Sequence, residues 1–149
     1  MKKIMIVDDN YLSAEGIEKN IDWETLNAEI IHVCYNGTSA IEAMKKEPAD
    51  LIISDIEMPD LDGISMSRQA LEINPMVKII LISAYDKFEY ARRALLLGAL
   101  DYIEKPLDYA YLIQKVKNAF ALMEKEQKNL QLLKQSRPLL TEKFFRKKR

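Results

Sequence analysis

Short apolar runs and longer amphipathic stretches alternate along the chain as far as about residue 120. The runs are Lys3 to Val7, Ile30 to Cys34, Leu51 to Ile53, Lys78 to Ile82 and Ala99 to Ile103. They are too short for buried helices and lack a strict period-two alternation, the pattern of strands covered on both faces. Between them, apolar positions recur at helical spacing. Tyr11 to Asn20 reads as a helix with Leu12, Ile17 and Ile21 inward and Glu15 and Glu18 in solvent. A second helix runs through Ala40, Ile41 and Met44 to about Lys46, a third from about Gly63 to Ile73, and a fourth from Phe88 to Leu97. A last helix carries Leu112, Val116, Ala119 and Phe120 on one stripe. The punctuation agrees. Asn36-Gly37 reads as a turn, Ser39 and Glu42 have capping-box spacing, Asn74-Pro75 stops a helix, Gly98 sits where a C′ glycine belongs, and Asp108 can cap the last helix. Five strands, each followed by a helix, predict an α/β fold: a doubly wound parallel sheet with right-handed crossovers and helices on both faces.

The chain is organised around its central strand. Leu51-Ile52-Ile53 is followed by Ser54 and then by Asp55, where the apolar run has stopped; Pro59 cannot donate to a ladder, and Asp60, Asp62 and Gly63 are turn material before the next helix. The other strands end similarly: the first in Asp8 and Asp9, the fourth in Ser83, the fifth in Glu104-Lys105-Pro106. In a parallel sheet these groups meet on one edge, where open α/β sheets bind ligands. Three carboxylates together repel one another, and a hard divalent cation such as Mg²⁺ relieves that repulsion. A carboxylate beside Mg²⁺, an ammonium and a hydroxyl is arranged for phosphoryl transfer, with Asp55 attacking in line while the metal and Lys105 offset charge on the equatorial oxygens.

Composition narrows the alternatives. With 149 residues, 48% hydrophobic and 30% charged, the chain is globular and of single-domain size. No apolar run approaches the ~20 residues of a membrane span, and Met1-Lys2-Lys3-Ile4 leads straight into a strand, so neither a signal peptide nor a membrane partner is expected. Cys34 is the only cysteine and His32 the only histidine, mid-strand, which disfavours a disulfide, a cysteine metal cluster, a zinc site or a histidine-based triad. A reducing, cytoplasmic setting is expected, and Trp23 reads as a packing anchor. Residues 124–149 hold nine Lys/Arg and three acids, a net +6, whereas residues 1–123 hold 13 basic and 20 acidic residues, a net −7. The expected division is a domain over 1–123 and a basic helical linker over 124–149.

The motifs Ile6-Val7-Asp8-Asp9-Asn10, Asp55-Ile56-Glu57-Met58-Pro59-Asp60-Leu61-Asp62-Gly63, Leu81-Ile82-Ser83-Ala84-Tyr85 and Asp101-Tyr102-Ile103-Glu104-Lys105-Pro106 together resemble the receiver domain of two-component response regulators, over residues 3 to about 123. The resemblance implies a flavodoxin-like (CheY-like) sheet of strand order 2-1-3-4-5. It implies that Asp55 is the phosphoacceptor for a sensor histidine kinase, and that Mg²⁺ is bound directly by Asp9, through water by Asp8, by Asp55, and by the main-chain carbonyl of Glu57. It further implies that Lys105 pairs with the phosphoryl group, that Ser83 hydrogen-bonds it, that Tyr102 is the aromatic switch, and that Lys105-Pro106 carries a cis peptide. Glu57 and Tyr85, beside the phosphate site, are expected to influence the phosphoryl lifetime. Such a domain catalyses only its own phosphorylation and dephosphorylation.

Ile21-Asp22-Trp23-Glu24, Tyr85 to Ala91, Leu97 to Tyr102 and Leu139 to Phe145 are similar to the YesN group, whose members carry a C-terminal AraC-type helix-turn-helix. That region is absent from the sequence, so the expectation is a receiver and the start of a linker from a longer transcription factor, with DNA binding belonging to the absent part. The last helix is expected to run on as a connecting rod, with Leu112, Val116, Ala119, Met123, Leu130, Leu133 and Leu140 at helical steps, a polar break at Glu126 and Gln127, and an end or kink at Pro138. Its apolar stripe needs a partner, either a second copy in a short parallel coiled coil or the rest of the longer chain.

Two other classes use similar parts. A haloacid-dehalogenase-type phosphohydrolase places Asp-x-Asp-x-Thr/Val after its first strand, a spacing that Asp8-Asp9-Asn10-Tyr11-Leu12 lacks, and no cap domain fits in the chain. A nucleotide-binding protein needs a phosphate-cradling loop, whereas Gly16, Gly37, Gly63 and Gly98 are scattered.

Overall fold

The computed structural model describes the backbone of residues 1–84 and 88–148 and the side chains of residues 1–84 and 89–135. Its elements are β1 (Lys2–Val7), α1 (Tyr11–Asn20), β2 (Ala28–Cys34), α2 (Gly37–Lys46), β3 (Leu51–Asp55), α3 (Gly63–Ile73), β4 (Lys78–Ser83), α4 (Phe88–Leu97), β5 (Asp101–Glu104) and α5 (Tyr109–Lys148). The strands form one sheet in the order β2-β1-β3-β4-β5, every pair parallel. The alternation of elements predicts the doubly wound parallel sheet, and its strand order is the flavodoxin-like, CheY-like one that the resemblance implies. The chain divides into two compact units, Met1–Lys117 and Asn118–Arg149.

The three central strands are buried on both faces, which is why they read as continuous apolar runs. Met5, Val7, Ile52, Ile79 and Leu81 join one core cluster with Ala40 and Met44 of α2 and Ile64, Met66 and Ala70 of α3. The alternate positions Ile4, Ile6, Ile53 and Ile80 are equally buried and point to the opposite face. Burying each of these side chains contributes about 1.5–3 kcal/mol. The register is in step along the edge that matters: Val7 pairs with Ser54, Asp55 with Ile82, and Ser83 with Glu104.

At several places the structure departs from the local signals. Leu12 is 80% exposed, and the buried positions of α1 are Ala14 and Ile17, with Ile21 after it. Leu12 lies five residues before Ile17, on a different face, whereas Ala14, Ile17 and Ile21 keep to the helical repeat. The second helix begins at Gly37, not near Ser39; Asn36 is its cap, its Oδ1 accepting from Ser39 N at 2.8 Å, so the Ser39/Glu42 capping box does not form. β2 begins at Ala28, where it pairs with Lys2. β5 begins at Asp101 and not at Ala99, because Gly98 (φ 92°) closes α4 with two backbone bonds, Gly98 N to Leu95 O and Ala99 N to Ala94 O. That Schellman closure commits the Ala99 N–H to the helix end.

Trp23 is buried, its Nε1 donating to Ile17 O at 3.3 Å, and the His32 ring meets Glu47 O at 2.9 Å; both are structural contacts. α5 does not end at Pro138 but is helical to Lys148. Proline withholds only its own N–H from the ladder, so a long helix can run through it. Leu140 lies outside the described side chains.

Candidate functional site

The edge formed by the C-terminal strand ends collects most of the residues singled out from the sequence. β1 and β3 are neighbours, although α1, β2 and α2 separate them in sequence, so the winding reverses between them and leaves a crevice beyond their ends. Asp8 and Asp9 come directly after β1, and Asp55 closes β3. Oxygen atoms of these three carboxylates lie within 4.8 Å of one another. Asp8 is 3% exposed and Asp55 6%, while Asp9 is open to solvent.

Lys105 reaches over the pair of buried acids. Its Nζ lies 3.5 Å from Asp55 Oδ2 and 3.8 Å from Asp8 Oδ2. Its backbone is tied to the neighbouring strand end by Lys105 N donating to Ser83 O at 2.8 Å, and the Lys105–Pro106 peptide is cis. The carboxylates are oriented by backbone donors: Ile56 N to Asp55 Oδ1 and Asn10 N to Asp8 Oδ1, both 2.9 Å. Asn10 also caps α1, its Oδ1 accepting from Leu12 N and Ser13 N.

One ammonium against three carboxylates leaves the site short of positive charge. Burial pushes the Asp55 carboxyl up to about 6, and the Asp8 charge pushes the same way against the pull of Lys105. Burial raises Asp8 as well, opposed by the Asn10 N–H and by Lys105. All the donors are hard oxygen ligands, two of them nearly dry and one facing water. Such a set suits Mg²⁺, which takes a few carboxylates and keeps several waters.

The loop from Ile56 to Asp62 shapes the other side of the crevice. Gly63 N donates to Ile56 O at 2.8 Å, and a Cβ on Gly63 would lie 2.1 Å from the Asp55 carbonyl oxygen. Only glycine permits α3 to begin so close to the end of β3. Asp62 caps α3 by accepting from Ser65 N at 2.7 Å, and Asp60 takes a positive φ of 69°.

Ser83, fully buried at the end of β4, donates through Oγ to Glu57 Oε1 at 2.6 Å. The sequence puts both residues beside the site but carries no sign that they touch, because the contact joins a strand end to a loop 26 residues away. Tyr102 is half-buried and lines a groove with Ala91, Ile103, Glu104, Pro106 and Tyr111. Tyr85 lies outside the described residues. Among the described residues no helix is long and apolar enough to cross a membrane.

Comparison with known proteins places this edge in a family. The model of the response regulator receiver domain matches residues 4–117. The chain is 29% identical over 126 residues to the uncharacterized transcriptional regulatory protein YesN of Bacillus subtilis, covering 85% of this chain and 34% of that protein. It therefore spans about a third of the length of that relative. The structure of the REC domain of AraT, a response regulator from Geobacillus stearothermophilus, superposes with a TM-score of 0.79 at 34% identity, covering 85% of this chain and 98% of that one. The CheX–CheY–BeF₃–Mg²⁺ complex from Borrelia burgdorferi matches with a TM-score of 0.70 at 29% identity, covering 80% and 89%. The sheet order, the acidic edge and these matches agree: the chain belongs to the response regulator receiver domains.

Proposed function

We propose that this receiver takes a phosphoryl group from a sensor histidine kinase onto Asp55 in a Mg²⁺-dependent reaction, and that the change in its surface controls a transcriptional output region elsewhere in a longer protein. The observation that carries this reading is the position of Asp55. It is a nearly buried carboxylate at the end of the central strand, with an ammonium 3.5 Å away and oxygen atoms of two further carboxylates within 4.8 Å. In the transfer, the N–P bond of a phosphohistidine breaks as an Asp55 O–P bond forms, and the imidazole leaves.

Asp8, Asp9, Asp55 and the Glu57 main-chain carbonyl would hold Mg²⁺. When bound, the ion neutralises the acidic cluster and the charge on the phosphoryl oxygens. Lys105 is placed to pair with those oxygens, because its Nζ already faces the carboxylate they would join. Asp55 is the nucleophile only when ionised, and Lys105 opposes the burial that raises its pKa. Ser83 reads the arriving group through its hydroxyl, and Tyr102, with a large ring and a polar tip, is the second half of the switch. The setting is cytoplasmic, and DNA contact belongs to an AraC-type region like that of the YesN group.

The test is intact-protein mass after incubation with acetyl phosphate and Mg²⁺. The wild type is expected to gain one phosphoryl group and Asp55→Ala none; a gain that persists in Asp55→Ala removes the assignment.

A further inference from the structure

The Ser83 side chain is already engaged on the side where a phosphoryl group would arrive. Its Oγ lies 2.6 Å from Glu57 Oε1, a charge-assisted contact at a fully buried hydroxyl. The backbone on either side has little freedom. Ser83 pairs with Glu104 in the sheet, and its carbonyl accepts from Lys105 N at 2.8 Å. What remains movable is the hydroxyl itself, by rotation about its side-chain torsions.

A serine hydroxyl has one hydrogen to donate. Glu57 is an anionic acceptor two residues after Asp55, and a phosphoryl group on Asp55 would present further anionic acceptors in the same space. The hydrogen can serve one of them at a time. We propose that Glu57 is a brake built into the site: its carboxylate holds the Ser83 hydroxyl in the unphosphorylated protein, so that recognition of a phosphoryl group must first break the Ser83–Glu57 bond. Glu57 is half-buried, so its carboxylate can swing to solvent when displaced, whereas Ser83 cannot leave. The brake makes Glu57 a positioning residue that acts through Ser83, separate from any service of its main-chain carbonyl to a metal. This inference rests on Asp55 being the phosphoacceptor.

Removing the Glu57 charge also lessens repulsion toward any anion, so a single variant cannot isolate the brake. A double-mutant cycle can. Beryllofluoride, a phosphoryl mimic, is titrated at saturating Mg²⁺ into wild type, Glu57→Ala, Ser83→Ala and the double variant, with bound fluoride monitored by fluorine NMR. The brake predicts that Glu57→Ala tightens beryllofluoride binding about tenfold more when Ser83 is present than when it is alanine, the worth of one hydrogen bond to a charged group. Glu57→Gln, which keeps the chain length and an acceptor oxygen but not the charge, falls between wild type and Glu57→Ala. Equal factors in the two backgrounds would mean that Glu57 acts by charge alone and would overturn the brake. So would weaker binding in Glu57→Ala. Failure of the wild type to bind beryllofluoride at all would instead remove the phosphoacceptor reading, and the brake with it.

Discussion

Asp55→Asn should stabilise the metal-free protein. Asparagine keeps the shape of the side chain and an oxygen to accept from Ile56 N, but it removes the charge from a side chain that is 7% exposed. In the fold the Asp55 carboxyl rises from 3.8 to about 6, mainly through burial and secondarily through Asp8. That shift of about 2 units corresponds to roughly 3 kcal/mol of preference for the neutral form, at about 1.36 kcal/mol per unit. A raised carboxyl binds its proton more tightly in the folded than in the unfolded chain. Stability therefore falls as pH rises from about 4 to about 6, and above that window the full cost of the buried charge is present. Asparagine escapes the cost.

At pH 7.5 in EDTA, Asp55→Asn should unfold at higher urea than wild type, by about 2–3 kcal/mol, or several degrees in a thermal melt of a protein this size. At pH 4, where Asp55 is protonated in the fold and only partly ionised in the unfolded chain, most of the difference should be gone. Saturating Mg²⁺ should stabilise wild type more than Asp55→Asn, because the ion offsets the charge that asparagine lacks. Two results would refute the reasoning. One is an Asp55→Asn protein no more stable than wild type at pH 7.5. The other is a stability difference as large at pH 4 as at pH 7.5, which would trace the effect to packing and not to charge.

Gly63→Ala should cost about 3 kcal/mol, at the upper end for an added methyl group, because its Cβ would sit 2.1 Å from the Asp55 carbonyl oxygen; an unchanged urea midpoint would show that α3 can retreat freely. Asp9→Ala should weaken Mg²⁺ binding, monitored by NMR shifts, by more than tenfold and by more than Asp8→Ala does; an affinity equal to that of wild type would place the ion elsewhere. Amide exchange over residues 89–106 should change when beryllofluoride is added if Ser83 and Tyr102 carry the signal, and identical protection would rule that route out. Leu132 and Leu133 are more than half exposed, so the 1–149 chain should self-associate in sedimentation equilibrium where 1–123 does not; two monomers would dismiss a dimerising role for α5.

The central strands were the legible part of this fold. Ile4 to Val7, Leu51 to Ile53 and Ile79 to Ile82 are apolar on both faces because helices cover both faces, and a run of that kind has few other uses. The charges that end these runs were legible for the same reason. A polar group that interrupts a buried strand must reach the sheet edge or find a partner, and in a parallel sheet the edge is shared. Edges of elements were harder. Asn36-Gly37 suits both a turn and a helix cap, and the choice between them rests on whether Ser39 N needs an acceptor. Ala99 has a residue type suited to either side of a boundary, and only the bonds at Gly98 decide that it finishes α4.

The same distinction explains what the sequence concealed at the site. A strand end is placed by its own run of residues, so Asp8, Asp55 and Lys105 converge once the strand order is known. The Ser83–Glu57 contact has no such local cause. Glu57 lies past the end of β3, in a segment held by Gly63 N donating to Ile56 O and by the close approach of α3 that Gly63 permits. Move α3 outward by the width of a methyl group and the loop carrying Glu57 shifts with it, although neither Glu57 nor Ser83 has changed. A glycine eight residues after Asp55 therefore helps to set what the Ser83 hydroxyl touches. Gly63→Ala tests that dependence as well as the packing: the altered loop should lose the Ser83–Glu57 bond, and the further effect of Glu57→Ala on beryllofluoride binding should then shrink.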